Sequence, residues 1–498
     1  MKLDRETKEK KRFRRLRRKN KQARQQRRMA LAQAVMGGLF LIGIAAYVTS
    51  SIRQQRQDYP NQSRNHEHNH DHNHEHNPNH PRLELDVENP RPNENLTARQ
   101  KLLHFGNKLI KAKFYQHSDV MEDIGDKSSA YAALRQEYDQ KLPMDDIPRM
   151  KRFAQSVRKR TYGNMMAKHM DYDIHNCPLY PPTGYPYAWN VQAVLDNWAP
   201  DDTAPRPKIF QGLCTFDYET EKEKAIHYRE AELPYVIRDD PSVLRTVERW
   251  AQPEYMEKLL GEKTRYRTEY SEDNHFMYWT KPKKKNRDMV PENWSPPTDM
   301  MRMPFKKWLD HANVTDESLL GPDREHWYFR LIGCGEMGRC DNDSSEYLFD
   351  ELSFFQPRED NQLYMVEPKK QKGIHCRFGM KGVIAENHFD GSRNMVAILG
   401  GERRYILSHP DQCENLCLLP RGHPSARHSA VDWSDVDWEE FPRFREAEVN
   451  EVVLQAGDVM YLPTNWFHYI ISLDLNFQCN TRSGISGEYM DAIHDCGF

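Results

Sequence analysis

The chain has 498 residues and a formal net charge of −2, with 38% hydrophobic and 29% charged residues. Its positive charge is concentrated at one end, since residues 1–28 contain fifteen Lys or Arg against three Asp or Glu. The other 470 residues therefore carry about −14, which excludes a chain that is basic throughout. A basic end by itself fits a nucleic-acid arm or a localisation signal.

The segment that follows favours a membrane anchor. Residues 29–52 contain no charged residue, and "ALAQAVMGGLFLIGIAAYV" is mostly apolar. At 1.5 Å per residue, about 20 residues cross a hydrocarbon core, so we expect one transmembrane helix here. Basic flanks stay cytoplasmic, which predicts a single-pass type II protein of the endoplasmic reticulum or Golgi with a lumenal body and no nucleic-acid partner. The alternative is a cleaved signal peptide, for which 28 polar residues are a long leader.

Cysteines and glycosylation sequons agree with a lumenal body, because all of them follow the predicted span. Sequons occur at Asn61, Asn95, Asn293, Asn313 and Asn342. The cysteines are residues 177, 214, 334, 340, 376, 413, 417, 479 and 496. Nine cysteines leave at least one thiol unpaired or in an intermolecular bridge. Cys413 with Cys417, and Cys334 with Cys340, are close enough in sequence to close small loops, and the spacing assigns neither.

Residues 53–98 read as a disordered stem. They are rich in Asn, Pro, Arg and Glu and show no apolar periodicity, so they cannot form a core. The stem contains "NHEHNHDHNHEHNPNH", with seven histidines between His66 and His80. Such a tract can bind divalent metals weakly at several sites. The plainer interpretation is a hydrophilic spacer, and loading metal for a site downstream is a third.

Residues 99–205 are predicted to be a helical extension, with amphipathic patterns in "ARQKLLHFGNKLIKAKF" and "SSAYAALRQEYDQKL". Residues 206–498 are enough for one large core. In that domain "LPYVIRDD" and "HWYFRLIG" predict strands, whereas "SVLRTVERWAQPEYMEKLLG" and "FKKWLDHA" predict helices. After residue 360 come the mainly β segments "GVIAENHFD", "NMVAILG", "RRYILSH", "EVVLQAGDVMYLP", "NWFHYIISL" and "NFQCNTRS". The expected fold class is α+β, mainly β: a double-stranded β-helix, or jelly roll, with flanking helices.

Three residues in this β region have the pattern of a metal site. His388 and Asp390 are two apart on one predicted strand, so both point to the same face while Phe389 points away. His468 arrives 78 residues after Asp390, at the start of another strand, in the context "GDVMYLPTNWFHYI". Two histidines and a carboxylate form the facial triad of non-haem Fe(II) oxygenases, which leaves coordination positions for a 2-oxo acid and O2.

These motifs, together with "HFDGSRNMVAILGGERRYIL" and "HPSARHSAVDWS", resemble the JmjC and cupin-like Fe(II)- and 2-oxoglutarate-dependent oxygenases, especially the protein-hydroxylase branch. The resemblance covers about residues 206–498 and implies that His388, Asp390 and His468 bind Fe(II). The position of the lysine that grips the distal carboxylate of 2-oxoglutarate is occupied here by Arg403, which can bind it through a bidentate fork. Arg404 points to the opposite face by strand alternation, so its loss is expected to affect 2-oxoglutarate binding far less than the loss of Arg403.

The resemblance also places Asn394, Asn476 and Tyr328 beside the co-substrate. A threonine often found three residues before the first ligand is Ala385 here. Each of these residues has a plainer interpretation: the two asparagines satisfy barrel hydrogen bonds, the tyrosine belongs to the core, and Arg403 is a surface hairpin charge.

The resemblance implies an enzyme that uses Fe(II), 2-oxoglutarate and O2. The lumenal body favours hydroxylation of a residue in a secretory-pathway protein over a glycan or lipid substrate. One alternative is a membrane-anchored cupin-like binding protein that has lost turnover. Another is a metal-handling protein centred on the histidine tract.

Overall fold

The structure is a computed structural model, which describes residues 127–142, 146–165, 170–282, 290, 294–333, 344–345, 347–361 and 363–498. The predicted tail, transmembrane helix, stem and first amphipathic helix lie outside the described residues. In the described ranges no helix is both long enough and apolar enough to cross a membrane.

The helices of the described residues lie mostly before the β-rich region. They are α1 Lys127–Lys141, α2 Ile147–Val157, α3 Val191–Asn197, α4 Tyr218–Glu230, α5 Pro241–Trp250, α6 Pro253–Leu260, α7 Phe305–Ala312, α8 Leu348–Glu351 and α9 Met490–Asp495. The single long helix predicted over "SVLRTVERWAQPEYMEKLLG" is wrong, because α5 ends at Trp250 and α6 begins at Pro253. Proline cannot continue a helix interior, but it suits the first helical position.

Eighteen strands are described. They are β1 Gly163–Asn164, β2 Trp189–Asn190, β3 Lys208–Ile209, β4 Thr215–Asp217, β5 Tyr235–Arg238, β6 Tyr266–Ser271, β7 His275–Phe276, β8 Asp299–Met303, β9 His326–Gly333, β10 Ser344–Ser345, β11 Gln371–Gly379, β12 Ile384–Phe389, β13 Asn394–Gly400, β14 Glu402–Ser408, β15 Glu448–Gln455, β16 Val459–Leu462, β17 Phe467–Ser472 and β18 Asn476–Ser483. The pattern after residue 360 predicted β12 to β18, and it missed β11.

Most of these strands belong to two sheets. The larger has ten strands in the order β4-β5-β16-β13-β18-β11-β9-β6-β8, with β10 beside β9, and the smaller has six in the order β2-β15-β14-β17-β12-β7. The strands from β11 onward pair antiparallel with one another, as a jelly roll requires. The expectation of a mainly β domain with flanking helices is therefore confirmed.

The two sheets face each other across an apolar layer. On the larger sheet Val396 and Ile398 belong to this layer, and on the smaller sheet Tyr405 and Leu407 do. Alternate residues of the same strands face outward and are covered, the larger sheet by α5, α6 and α7 and the smaller by α3 and the loop that carries Trp433. Inward-facing polar residues therefore lie inside the barrel.

The predicted helical extension is not purely helical. Its strand β2 pairs with β15 and adds an edge to the six-stranded sheet, and β1 pairs in parallel with β3. Gly212, in the segment that follows β3, lies so close to Tyr187 that an added Cβ would be 2.6 Å from its carbonyl oxygen. The extension is thus packed into the barrel as part of its sheet structure.

Three disulfide bonds are formed among the described residues, Cys177–Cys214, Cys376–Cys479 and Cys413–Cys496. The short loop between Cys413 and Cys417 is therefore not closed, and Cys417 is the free cysteine of the described part of the chain. Sequence proximity suggested that pairing, but the fold brings Cys413 to the C-terminal helix region instead. The other short loop considered, between residues 334 and 340, lies outside the described residues.

Candidate metal centre and co-substrate pocket

The three proposed metal ligands converge at one point of the barrel. Strands β12 and β17 pair antiparallel with His388 directly opposite His468, and Asp390 follows the end of β12. One ligand atom from each of the three side chains lies within 4.8 Å of the others. Phe389 points to the opposite face, where its ring packs 5.3 Å from that of Phe467. The alternation of a strand thus places the two ligands of the His-x-Asp pair together, as the sequence predicted.

Backbone carbonyls orient both imidazoles. Nδ1 of His388 lies 2.7 Å from the carbonyl oxygen of Glu386, and Nδ1 of His468 lies 3.1 Å from that of Trp466. Because a carbonyl oxygen only accepts, each Nδ1 carries the proton and each Nε2 keeps its lone pair. Burial, with His468 nearby, lowers the pKa of His388 to about 3. Burial also lowers the pKa of His468. Both rings are therefore neutral, as metal ligands must be.

The carboxylate of Asp390 has two neighbours that the sequence did not connect with it. Nη2 of Arg482 lies 2.6 Å from its Oδ2, and Nδ2 of Asn394 lies 3.5 Å from the same oxygen. Nδ2 of Asn480 in turn donates to Oδ1 of Asn394 at 2.8 Å. Burial alone would raise the pKa of Asp390, but Arg482 and the two imidazoles outweigh it and hold that pKa below its ordinary value. Asp390 is therefore an anion.

A further histidine lies against the first ligand. The ring of His428 stacks on that of His388, with centroids 4.9 Å apart and an interplanar angle of 23°. Its Nδ1 is 3.1 Å from the carbonyl oxygen of Ser425, and burial lowers its pKa to about 3. His428 thus fixes the plane of the His388 ring from one side.

Arg403 lies inside the barrel and is fully buried. Its Nη1 donates to Oε1 of Gln478 at 2.6 Å and to the hydroxyl of Tyr328 at 3.3 Å. Its Nε donates to Oδ1 of Asn476, and its Nη2 donates to the carbonyl oxygen of Arg377 at 2.9 Å. Every acceptor is neutral, and within the described residues no carboxylate contacts this guanidinium. The pocket around Arg403 therefore contains a buried cation that lacks an anion.

Small residues leave room for this arginine. An added Cβ at Gly379 would lie 2.5 Å from Oγ of Ser472 and 3.1 Å from Nη2 of Arg403. Ala385, at the position where the resemblance expects a threonine, packs against the apolar layer between the sheets. The structure thus brings Tyr328 and Asn476 to Arg403, and it places Asn394 beside Asp390 instead.

Arg404 faces the other side of β14, away from Arg403. It is fully buried, its Nε pairs with Oε1 of Glu451, and its Nη1 donates to the carbonyl oxygen of Trp198 at 2.9 Å. The guanidinium carbon also lies 4.5 Å from the centre of the Trp198 ring. Arg404 therefore holds the outer layer of the six-stranded sheet together.

Sequence reasoning named Asn476 but missed five other polar residues on two strands of the pocket, and an alternation in the sequence could have indicated them. In "NFQCNTRS" the residues Asn476, Gln478, Asn480 and Arg482 occupy every second position of β18 and face inward. In "IHCRFG" His375 and Arg377 do the same on β11, which was not recognised as a strand. A polar residue at each inward position of a barrel strand is a signal that this strand lines a site.

The donor set fits a divalent metal of the first transition series. Two imidazole nitrogens and one carboxylate oxygen on one side are the ligands of 2-His-1-carboxylate Fe(II) sites. The charge of Arg403 fits an anionic group, and its planar fork suits a carboxylate. The residues present can therefore hold both a metal and a dicarboxylate.

Comparison with known proteins identifies related domains. A family model described as a cupin-like domain matches residues 221–482, more than half of the chain. Lysine-specific demethylase 8 from Xenopus tropicalis is 35% identical over 105 residues, which cover 21% of this chain and 23% of that protein. JmjC domain-containing protein D from Dictyostelium discoideum is 28% identical over 146 residues, 29% of this chain and 27% of that one.

A third relative matches over a longer segment. The tRNA wybutosine-synthesizing protein 5 from Danio rerio is 25% identical over 181 residues, 36% of this chain and 52% of that protein. This chain therefore spans about half or less of each of these three relatives. The match to the family model covers all three proposed metal ligands together with Arg403. The chain belongs to the cupin-like domain family.

Proposed function

We propose that this protein is an Fe(II)- and 2-oxoglutarate-dependent oxygenase that hydroxylates a residue of a secretory-pathway protein. The observation that carries the proposal is the convergence of His388, Asp390 and His468, with both imidazoles held neutral and turned by backbone carbonyls. The buried, unpaired charge of Arg403 in the same barrel supports the choice of co-substrate.

Each residue has a definite task in this proposal. His388, Asp390 and His468 would hold Fe(II), which supplies, when bound, the activation of O2 for oxidative decarboxylation of 2-oxoglutarate and hydroxylation of a C–H bond. Arg403 binds the distal carboxylate, and Tyr328 and Asn476 keep its guanidinium in place. The apolar layer between the sheets excludes water from this end of the pocket.

The secretory location rests on separate support. Three disulfides among the described residues suit an oxidising compartment. Asn313 of the sequon Asn-Val-Thr is exposed at the end of α7, where a glycan could be attached. The apolar segment 29–52 with its basic flank supplies the anchor. The relatives' names refer to unlike substrates, lysine and tRNA, so the family match supports the reaction class more than the substrate.

Succinate release tests the enzyme. Purified full-length protein with Fe(II), 2-oxoglutarate and O2 should release succinate, and Asp390→Ala should not. Arg443→Gln is a suitable control, because the Arg443 side chain is 61% exposed and pairs with Glu414 on the surface. Iron binding without any succinate would identify a binding protein in place of an enzyme.

Comparative mass spectrometry then tests the substrate class. Secretory proteins from cells that lack this chain should have lost peptides carrying an added oxygen. Protease added to intact microsomes should remove only the first 28 or so residues and leave the body protected. A body digested from outside would contradict the lumenal location.

A further inference from the structure

Three arginines of the larger sheet extend the pocket beyond Arg403. We call Arg330, Arg377 and Arg482 the arginine cluster. Arg377 of β11 lies directly opposite Arg330 of β9 and Gln478 of β18, and the next inward pair along these strands is His375 with Asn480. Asn480 is hydrogen-bonded to Asn394, which lies beside Asp390, so Arg377 is one inward-facing position along β11 from the level of the sheet that borders the metal ligands.

Arg377 has no counter-charge. Its one hydrogen bond within the described residues runs from Nη1 to the carbonyl oxygen of the preceding Cys376 at 3.0 Å, and no carboxylate there pairs with it. Burial, with Arg330 nearby, lowers the pKa of Arg377 to about 9. The Nε atoms of Arg330 and Arg482 are also buried and have no hydrogen-bond partner in the described part of the chain. Each of the three guanidinium groups therefore has N–H groups that can donate hydrogen bonds to a ligand.

The carboxylates around the cluster do not balance it. Glu269 pairs with Arg330, and Asp390 pairs with Arg482, which leaves Arg377 in excess even before a divalent metal adds its charge. Arg377 is half-buried, and a guanidinium that is partly withdrawn from water without an opposite charge loses hydration that nothing repays. A bound anion would remove this cost.

The co-substrate leaves the cluster without a ligand. In the proposed function, one carboxylate of 2-oxoglutarate binds Arg403 and its other end binds the metal, so neither needs Arg377. The cluster also reaches the surface: the Arg482 side chain is 29% exposed, and the guanidinium of Arg330 lies 5.8 Å from the ring of Tyr278, which is 47% exposed. An anion on a molecule that enters from outside can therefore reach it.

We propose that the arginine cluster binds a carboxylate of the substrate, so that the substrate is an acidic polypeptide segment with Asp or Glu near the oxidised residue. The proposal rests on the proposed function for the polypeptide nature of the substrate. A guanidinium fork matches a carboxylate in shape and charge, and in a desolvated site it discriminates strongly against the neutral amide.

A paired peptide array tests this proposal. The array contains random peptides with a central Asp or Glu, and each has a twin that differs only in carrying Asn or Gln at that position. Full-length protein loaded with Mn(II) and 2-oxoglutarate is applied to the array. Wild-type protein should bind the acidic twins tighter by about ten-fold or more. Arg377→Gln should bind both twins equally. Arg443→Gln, the exposed control, should keep the preference, and Arg377→Lys, which retains the charge without the fork, should keep part of it.

The outcomes separate this inference from the proposed function. Equal binding of the twins by wild-type protein, or an undiminished preference in Arg377→Gln, would overturn the inference. If Arg377→Gln raised only the 2-oxoglutarate requirement, the cluster would bind the co-substrate, and the inference would again be wrong. Because the array needs no turnover, an acidic preference without succinate release would refute the oxygenase and not the cluster. Succinate release without a preference for the acidic twins would refute the role of the arginine cluster and leave the oxygenase in place.

Discussion

The Asp390 carboxylate belongs to the candidate metal centre and also pairs with Arg482, whose Nη2 lies 2.6 Å from Oδ2. The ion pair orients the carboxylate and holds it ionised. It also means that one residue links the metal ligands to the arginine cluster.

Asp390→Ala should abolish iron binding. It removes the anionic ligand of a dication and leaves two neutral imidazoles, which bind Fe(II) weakly. Iron content after gel filtration, measured by atomic emission, checks this. Asp360→Ala is the matched control, because that side chain is 77% exposed and pairs with Arg358 at the surface. Retention of iron by Asp390→Ala would show that the ligands are other residues.

Arg403→Gln should keep its iron and lose 2-oxoglutarate. Four of the five Arg403 N–H groups donate within the barrel, so one remains for the co-substrate. A charge-assisted hydrogen bond is worth roughly 1.5–3 kcal/mol, so losing it should weaken 2-oxoglutarate binding by about 10-fold or more. The 2-oxoglutarate dependence of succinate release measures this, with iron content as the second readout. Arg403→Lys keeps the charge and should be less impaired. An unchanged requirement in Arg403→Gln would mean that another residue binds the distal carboxylate.

Arg404 should matter for stability and not for the co-substrate. Arg404→Met leaves Glu451 as a buried charge without an opposite charge, which should cost about 3–5 kcal/mol of unfolding free energy. The double variant Arg404→Met/Glu451→Gln should recover most of that loss, since no charge remains. Chemical denaturation of wild type, the two single variants and the double variant gives the coupling energy between Arg404 and Glu451. A stable Arg404→Met variant would contradict the buried ion pair.

Reducing or removing the Cys376–Cys479 bridge should destabilise the barrel. The two cysteines are 103 residues apart in sequence, and breaking a bridge of this kind typically costs about 2–5 kcal/mol. The double variant Cys376→Ser/Cys479→Ser should therefore melt well below wild type in a thermal scan. Cys417→Ser is the control and should melt like wild type, because Cys417 is a free thiol.

The metal-free protein should lose stability as the pH falls below 6.5. His428 is protonated near its ordinary pKa of about 6.5 when unfolded, but its pKa is about 3 when folded. The unfolded state therefore binds the extra proton between these values. Each buried histidine whose pKa is lowered in this way should reduce the free energy of unfolding by about 1.4 kcal/mol per pH unit below 6.5. His428→Gln should reduce this slope by about one proton in denaturation curves at pH 5.0 to 7.5, and an unaltered slope would show that folding does not lower the pKa of His428.

Strand periodicity explains what the sequence could predict. His388 and Asp390 share a face because they are two apart on a strand, and Arg403 and Arg404 separate for the same reason. The partners of these residues could not be predicted in this way. Arg482 meets Asp390, and Glu451 meets Arg404, through pairing between strands distant in sequence. The break before Pro253 was visible in the sequence, whereas the bridge between Cys413 and Cys496 depends on where the C-terminal helix packs.

The Cys376–Cys479 disulfide constrains the register in which two strands of the larger sheet pair. Its two cysteines are direct partners in the pairing of β11 with β18. A slip of one residue would turn the polar residues of β18 outward and bring Phe477 and Thr481 to face the inside of the barrel. The same slip would separate the two sulfurs. The disulfide therefore fixes the register of β11 against β18. It can form only in the register that turns the polar residues of β18 into the barrel, so oxidation of the two cysteines selects the arrangement in which the pocket exists.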